Sequence, residues 1–241
     1  MGEQPPDRHL TIEEHARHCA ALIAHLGLDR VHYVGHSSSC LIGLQLTLDH
    51  PELVRSLTLL EPAPGGALHG PADMDFVRRV VVPAMGAFTS GDLTGAFDMF
   101  MTGVGGADHR RILEDGLGIE GYRRAVRESA FYFADEVRAV QEWRFGEAEA
   151  GRISQPMLVV EGGDSHRLGP LNSEVVGTLA GLLPHAETEL VGGVNHMMPL
   201  QDPDAVGRVI ADFVRRHTTG STPALTLMGR GDRQDVEPAA L

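Results

Sequence analysis

An α/β fold with about four parallel strands, flanked by helices and interrupted by a helical insertion, is predicted by three observations. Short apolar runs at 31–34, 56–60 and 157–160, with a further strand at 187–191, have the length of buried strands rather than of helices. The first two are joined by a helical crossover, and a crossover of that length makes the strands it connects parallel neighbours. Between 72 and 145 the pattern is helical throughout, so the sheet breaks off once and then resumes.

Each element has a local reason. Residues 1–8 are polar and contain two prolines, after which Thr11 and Glu14 form a capping-box signature for a helix that runs to about Leu26 and stops at Gly27. The first strand leads into Gly35-His36-Ser37-Ser38-Ser39, and a helix apolar on most sides fills 38–49 through Leu41, Ile42, Leu44, Leu46 and Leu48. His50-Pro51 ends it. The second strand carries Glu61 at its carboxyl end, where α/β sheets place functional groups. Pro62-Ala63-Pro64-Gly65-Gly66 is a break, and helices are expected near 74–88, 93–101, 109–117 and 122–143. The apolar members of this insertion include Phe76, Phe97, Phe100, Met101, Phe131, Tyr132, Phe133 and Trp143, most expected to pack helices and a minority to line a pocket. The third strand ends at Glu161-Gly162-Gly163-Asp164, an amphipathic helix follows at 172–183, and the fourth strand runs into Gly192-Gly193-Val194-Asn195-His196. Asp202-Pro203 supplies an N-cap and first-turn proline for a last helix reaching about His217. Residues 218–241 are polar and glycine-rich, as in a disordered tail.

The chemistry sits at the carboxyl ends of these strands. A strand that reverses into a helix within a few residues needs small neighbours and projects its central side chain outward, which makes Ser37 a candidate nucleophile. The backbone N–H of Ser38 opens the following helix without an intrahelical partner and can face a developing negative charge. His196 has the position to take the Ser37 proton and later deliver it to a leaving group, and Asp164 the position to orient the imidazole. Two other readings of the acid stay open: Asp164 as a cap on the turn after Gly162-Gly163, and Glu61 as the acid in its place.

Gly35-His36-Ser37-Ser38-Ser39 resembles the Gly-x-Ser-x-Gly nucleophile elbow of the α/β-hydrolase family, with Ser39 where the last glycine stands. The loops Gly162-Gly163-Asp164-Ser165 and Asn195-His196 are similar to that family's acid and histidine loops, in the family order serine, acid, histidine. The resemblance spans about 10–217. It implies a core at 9–62 and 152–217, a helical cap at 63–151, and a serine hydrolase acting on an ester or similar acyl bond of a small, fairly apolar molecule. Serine in place of the last glycine implies a slightly strained or looser elbow rather than a lost one. The family also implies four strands ahead of the first helix here and a second oxyanion amide from one of their loops, to which the residues before Leu10 offer no counterpart. An amino-terminally shortened hydrolase with the nucleophile strand at the sheet edge is therefore expected. The alternatives are an impaired homologue that binds a small molecule under its cap, and an assembly subunit that pairs with itself or a partner chain through the exposed edge.

Composition narrows the rest. A net charge of −13 disfavours nucleic acid and anionic membranes as partners. Cys19 and Cys40 make no disulfide framework and read as packing residues. His15, His18 and His25 share a helix but lack a matching carboxylate pattern, so no metal is expected, nor any cofactor. With no membrane-length apolar run and no signal-peptide core at 1–10, the chain is expected in the cytoplasm.

Overall fold

A computed structural model describes residues 10–218. Among them, four parallel strands form one sheet in the order β1 (Val31–His36), β2 (Val54–Leu60), β3 (Met157–Gly162), β4 (Glu187–Val191). All four expected strands are present, and the sequence order is also the spatial order. The expected disordered tail lies outside the described residues.

The apolar runs are continuous because the sheet is covered on both sides. Leu57, Leu59, Met157 and Val159 enter one core with α1 (Ile12–His25), α2 (Ser38–Asp49) and residues of the helix at 171–182. The alternate residues Leu60, Leu158, Val160 and Val191 enter a second core with Val206 and Phe213 of the last helix. Period-two alternation thus divides each strand between two layers. Helix α1 opens on the expected capping box: Glu14 N–H donates to Thr11 Oγ1 at 3.2 Å and Thr11 N–H to Glu14 Oε2 at 3.3 Å.

Between β2 and β3 the chain is helical: α3 (Pro71–Phe76), α4 (Val82–Thr89), α5 (Leu93–Gly105), α6 (His109–Phe131), α7 (Val137–Glu142) and α8 (Glu147–Ala150). Two wide π-type turns, Val77–Val81 and Tyr132–Glu136, join α3 to α4 and α6 to α7 without a break in the winding. Inside α6, Gly118 adopts φ 73° and kinks the helix. After β3 come α9 (Leu171–Leu182), α10 (Met198–Gln201), which the sequence pattern did not suggest, and α11 (Pro203–Arg216). Asp202 caps α11 by accepting from Ala205 N–H at 2.8 Å. No described helix is long and apolar enough to cross a membrane.

The helical segment is tied to the sheet layer by a buried polar contact. Trp143 Nε1–H donates to Gln45 Oε1 of α2 at 2.9 Å, and the indole stacks on Phe145 with centroids 5.1 Å apart. Trp143, Phe97 and Phe133 are packing residues, whereas Phe76, Phe100 and Tyr132 line a cleft.

Candidate active site

Parallel register brings the ends of β1 and β2 side by side. Gly35 and His36 pair with Leu59 and Leu60, so the next residues of the two strands, Ser37 and Glu61, emerge together at the carboxyl edge. Ser37 N–H still donates to Leu60 O at 3.0 Å, and Glu61 N–H to Val160 O at 2.9 Å. Immediately after these last ladder bonds both residues turn into positive φ, 58° for Ser37 and 42° for Glu61, and they are the non-glycine residues with this conformation among those described. Non-glycine backbone of this kind costs on the order of 1–3 kcal/mol and persists where surrounding contacts over-determine it.

At the elbow those contacts are identifiable. A Cβ on Gly35 would lie 2.8 Å from Ser39 O and 2.9 Å from Cys40 N, so only glycine lets β1 pass α2 at this distance. The Ser39 hydroxyl accepts from His36 N–H at 2.7 Å and donates to His36 O at 2.7 Å, while Tyr33 Oη–H donates to Ser39 O at 2.8 Å. The expected loosening at Ser39 is therefore not found, because its hydroxyl cross-links the turn from within. Ser37 occupies the N-cap position of α2 without making a side-chain cap bond, and Ser38, the first residue of the helix, lines a cleft together with it.

The partner of His196 differs from the expectation. His196 Nδ1 lies 2.9 Å from Glu61 Oε2, and Glu61 is fully buried. Asp164 instead sits at the turn before residues 165–167, pairs with Arg167 at 3.2 Å and has a side chain 31% exposed. The structure thus corrects the assignment of Asp164 as the carboxylate beside the imidazole: Glu61 holds that place and Asp164 terminates a turn.

Four donors explain how a fully buried carboxylate is tolerated at Glu61. Oε1 accepts from Gly162 N–H at 2.8 Å and from the Ser165 hydroxyl; Oε2 accepts from Asn172 Nδ2–H at 2.9 Å and faces His196. A carboxylate has about four lone-pair sites, and all are taken. Ser165 and Asn172 are the supporting residues that sequence reasoning missed; only their positions after β3 and at the start of α9 hinted at them.

The histidine loop is fixed with equal care. Gly163 N–H donates to Val191 O at 2.7 Å and Asp164 N–H to Val194 O at 2.8 Å. A Cβ on Gly162 would meet Val194 O at 2.7 Å. Asn195 spans the loop and the helical segment, donating from Nδ2 to Gly105 O at 2.9 Å and accepting at Oδ1 from Met197 N–H at 2.9 Å. Below the imidazole, His36 Nε2 lies 2.8 Å from His196 O, and the two rings stand 4.6 Å apart. Desolvation, and then the neighbouring His196, lower His36 to about 4, so it is neutral at pH 7 and donates that bond as an N–H.

Two chambers meet at Ser37. One is a cleft of about 640 Å³ including its mouth, lined by Ser37 and Ser38 with apolar residues of the helical segment such as Val77, Phe100, Val104 and Tyr132. The other, about 720 Å³ on the same measure, is lined by Ser37, His36, His196, Met101, Leu113 and Leu200. With open solvent left out the first holds about 70 Å³ and the second about 320 Å³, so the second is the roomier for a ligand. Ser37 and His196 thus line one chamber, the imidazole is paired with the buried Glu61 carboxylate, and the Ser37 hydroxyl has no hydrogen bond among the described residues.

A family profile described as "alpha/beta hydrolase fold" matches residues 2–98. "Putative carbamate hydrolase RutD" of Pseudomonas savastanoi pv. phaseolicola is 26% identical over 223 residues, covering 90% of this chain and 81% of that protein. The 2-hydroxymuconate semialdehyde hydrolase of Pseudomonas putida is 21% identical over 221 residues, covering 88% and 72%. In three dimensions the chain is similar to a thermophilic esterase from Thermogutta terrifontis, with a TM-score of 0.69, 19% identity, and 90% and 78% of the two chains covered.

Proposed function

The chain belongs to the α/β-hydrolase fold family, and from that premise we propose that it is a serine hydrolase cleaving an ester or similar acyl bond of a small, fairly apolar molecule. The observation that carries this reading is the pairing of His196 Nδ1 with buried Glu61 beside a Ser37 held at positive φ on the same strand edge.

In the proposed reaction, Ser37 Oγ attacks the carbonyl carbon as His196 Nε2 takes the hydroxyl proton. The Ser38 N–H faces the resulting oxyanion. One such donor is worth on the order of 10² to 10³ in rate. Collapse breaks the bond to the leaving group, which receives the proton from His196, and leaves an acyl-serine. Water then attacks with His196 again as base, releasing the acid and restoring Ser37. Glu61 keeps Nδ1 protonated and stabilises the transient imidazolium. Hydrolase names among the relatives, covering most of this chain, support the reaction class.

A fluorophosphonate probe tests the reading. It is expected to label Ser37, with labelling lost in Ser37→Ala and strongly slowed in His196→Ala. A folded sample that takes no label would refute the proposal.

A further inference from the structure

A second histidine–carboxylate pair faces the Ser37 cleft. His69 Nδ1 lies 2.6 Å from Asp73 Oδ2, the Asp73 side chain is 7% exposed and the His69 side chain 35%, and both residues line the chamber that Ser37 and Ser38 line. The pair repeats the arrangement of His196 and Glu61: one ring nitrogen engaged by a buried carboxylate, the other without a partner among the described residues. It is also firmly placed. Glu174 of α9 accepts from Ala72 N–H at 3.2 Å and lies so close to Gly70 that a Cβ there would stand 1.8 Å from Oε1.

The chambers divide the substrate. His196 lines the chamber that lacks Ser38, and it must protonate the leaving group; Ser38 lines the chamber of His69, and its amide must face the acyl oxygen. The acyl half then extends along the wall of Val77, Phe100 and Tyr132 toward His69. Asp73 has no other charged residue lining this chamber beside it. With Nδ1 engaged by the Asp73 carboxylate, Nε2 of His69 is the free polar ring atom on this largely apolar wall, and in its protonated form its best-matched partner is an anionic oxygen.

We propose that His69, held by Asp73, is a specificity residue for acyl groups ending in a carboxylate, so that the preferred substrates are monoesters of short aliphatic dicarboxylic acids. The inference rests on the reading of Ser37 as nucleophile. Hydrolysis of such a monoester forms the serine-bound half-acid and the free alcohol, then the diacid, with water as the only co-reactant.

Aryl monoesters of succinate, glutarate and adipate are compared with neutral aryl esters of equal acyl length, reading the ratio of kcat/KM for the charged over the neutral ester. That ratio is expected to fall about 10- to 100-fold in His69→Leu and in the isosteric Asp73→Asn, which preserves shape if His69→Leu fails to fold. A ratio that stays within twofold in a folded variant, while wild type takes the fluorophosphonate label, overturns the assignment of His69 and leaves Ser37 standing. If wild type takes no label, the Ser37 reading fails, and calorimetric titration with glutarate decides alone: binding weakened at least about tenfold in His69→Leu supports the site, and absent or unchanged binding overturns it.

Discussion

At the scale of single residues, Glu61 and Asp164 make opposite predictions. Glu61→Gln keeps the shape but puts an amide where Nδ1–H needs a carboxylate, and kcat/KM is expected to fall by about 10³- to 10⁴-fold. Asp164→Asn, which touches only Arg167 and a turn, is expected to stay within about threefold, because an ion pair this exposed is worth little. Steady-state kinetics on one activated ester separates the two; equal losses would remove Glu61 from its assigned place. His36 sets a pH limit. Its folded value of about 4 lies below the ordinary 6.5, so on acidification the unfolded chain takes up its proton first. Stability tied to His36 is therefore complete above roughly pH 6.5 and lost as pH falls toward 4, by about 2 to 3 kcal/mol. Thermal melts from pH 7 to 4 are expected to show this loss in wild type and less of it in His36→Gln.

At the scale of elements, strand ends and helix caps were readable because their causes are local. The Thr11–Glu14 box, the Asp202-Pro203 start and the four apolar runs each carry their signal within a few residues, and the observed bounds follow them closely. Ser37 and His196 were also legible, since strand-to-helix and strand-to-loop corners mark themselves with glycines. The acid was not. Glu61 and Asp164 both follow a strand directly, and the choice between them depends on where Ser165, Asn172 and the Gly162 amide converge, which is a property of packing rather than of pattern. The helices offer a sharper test of local physics. Gly118 in α6 is at φ 73° with open space around it, so Gly118→Ala carries backbone strain alone and is expected to cost about 1 to 2 kcal/mol. Gly86 in α4 also faces open space without a positive φ, and Gly86→Ala is expected to stabilise by about 0.5 to 1 kcal/mol. Urea midpoints moving in the same direction for both would contradict this account.

At the scale of the whole molecule, the helical segment and the sheet meet through few polar contacts, and Trp143 with Gln45 is the buried one. Trp143→Phe removes the donor, leaves Gln45 Oε1 unpaired and opens space beside Phe145. A loss of about 2 to 4 kcal/mol is expected in chemical denaturation, with faster amide exchange across α5 to α7 than across β1 to β3. Uniform exchange in both layers would show that the helices do not depend on this anchor. The two wide turns, Val77–Val81 and Tyr132–Glu136, both bear on the cleft, through Val77, Val81 and Tyr132. Each contains one residue beyond what an ordinary α-turn holds. Deleting a single codon in either would remove the extra residue and return that turn to regular winding, keeping the downstream helix on nearly the same face while withdrawing one side chain and the bulge it makes from the wall. This scaffold can therefore change which molecules it admits by shortening its chain as readily as by exchanging side chains.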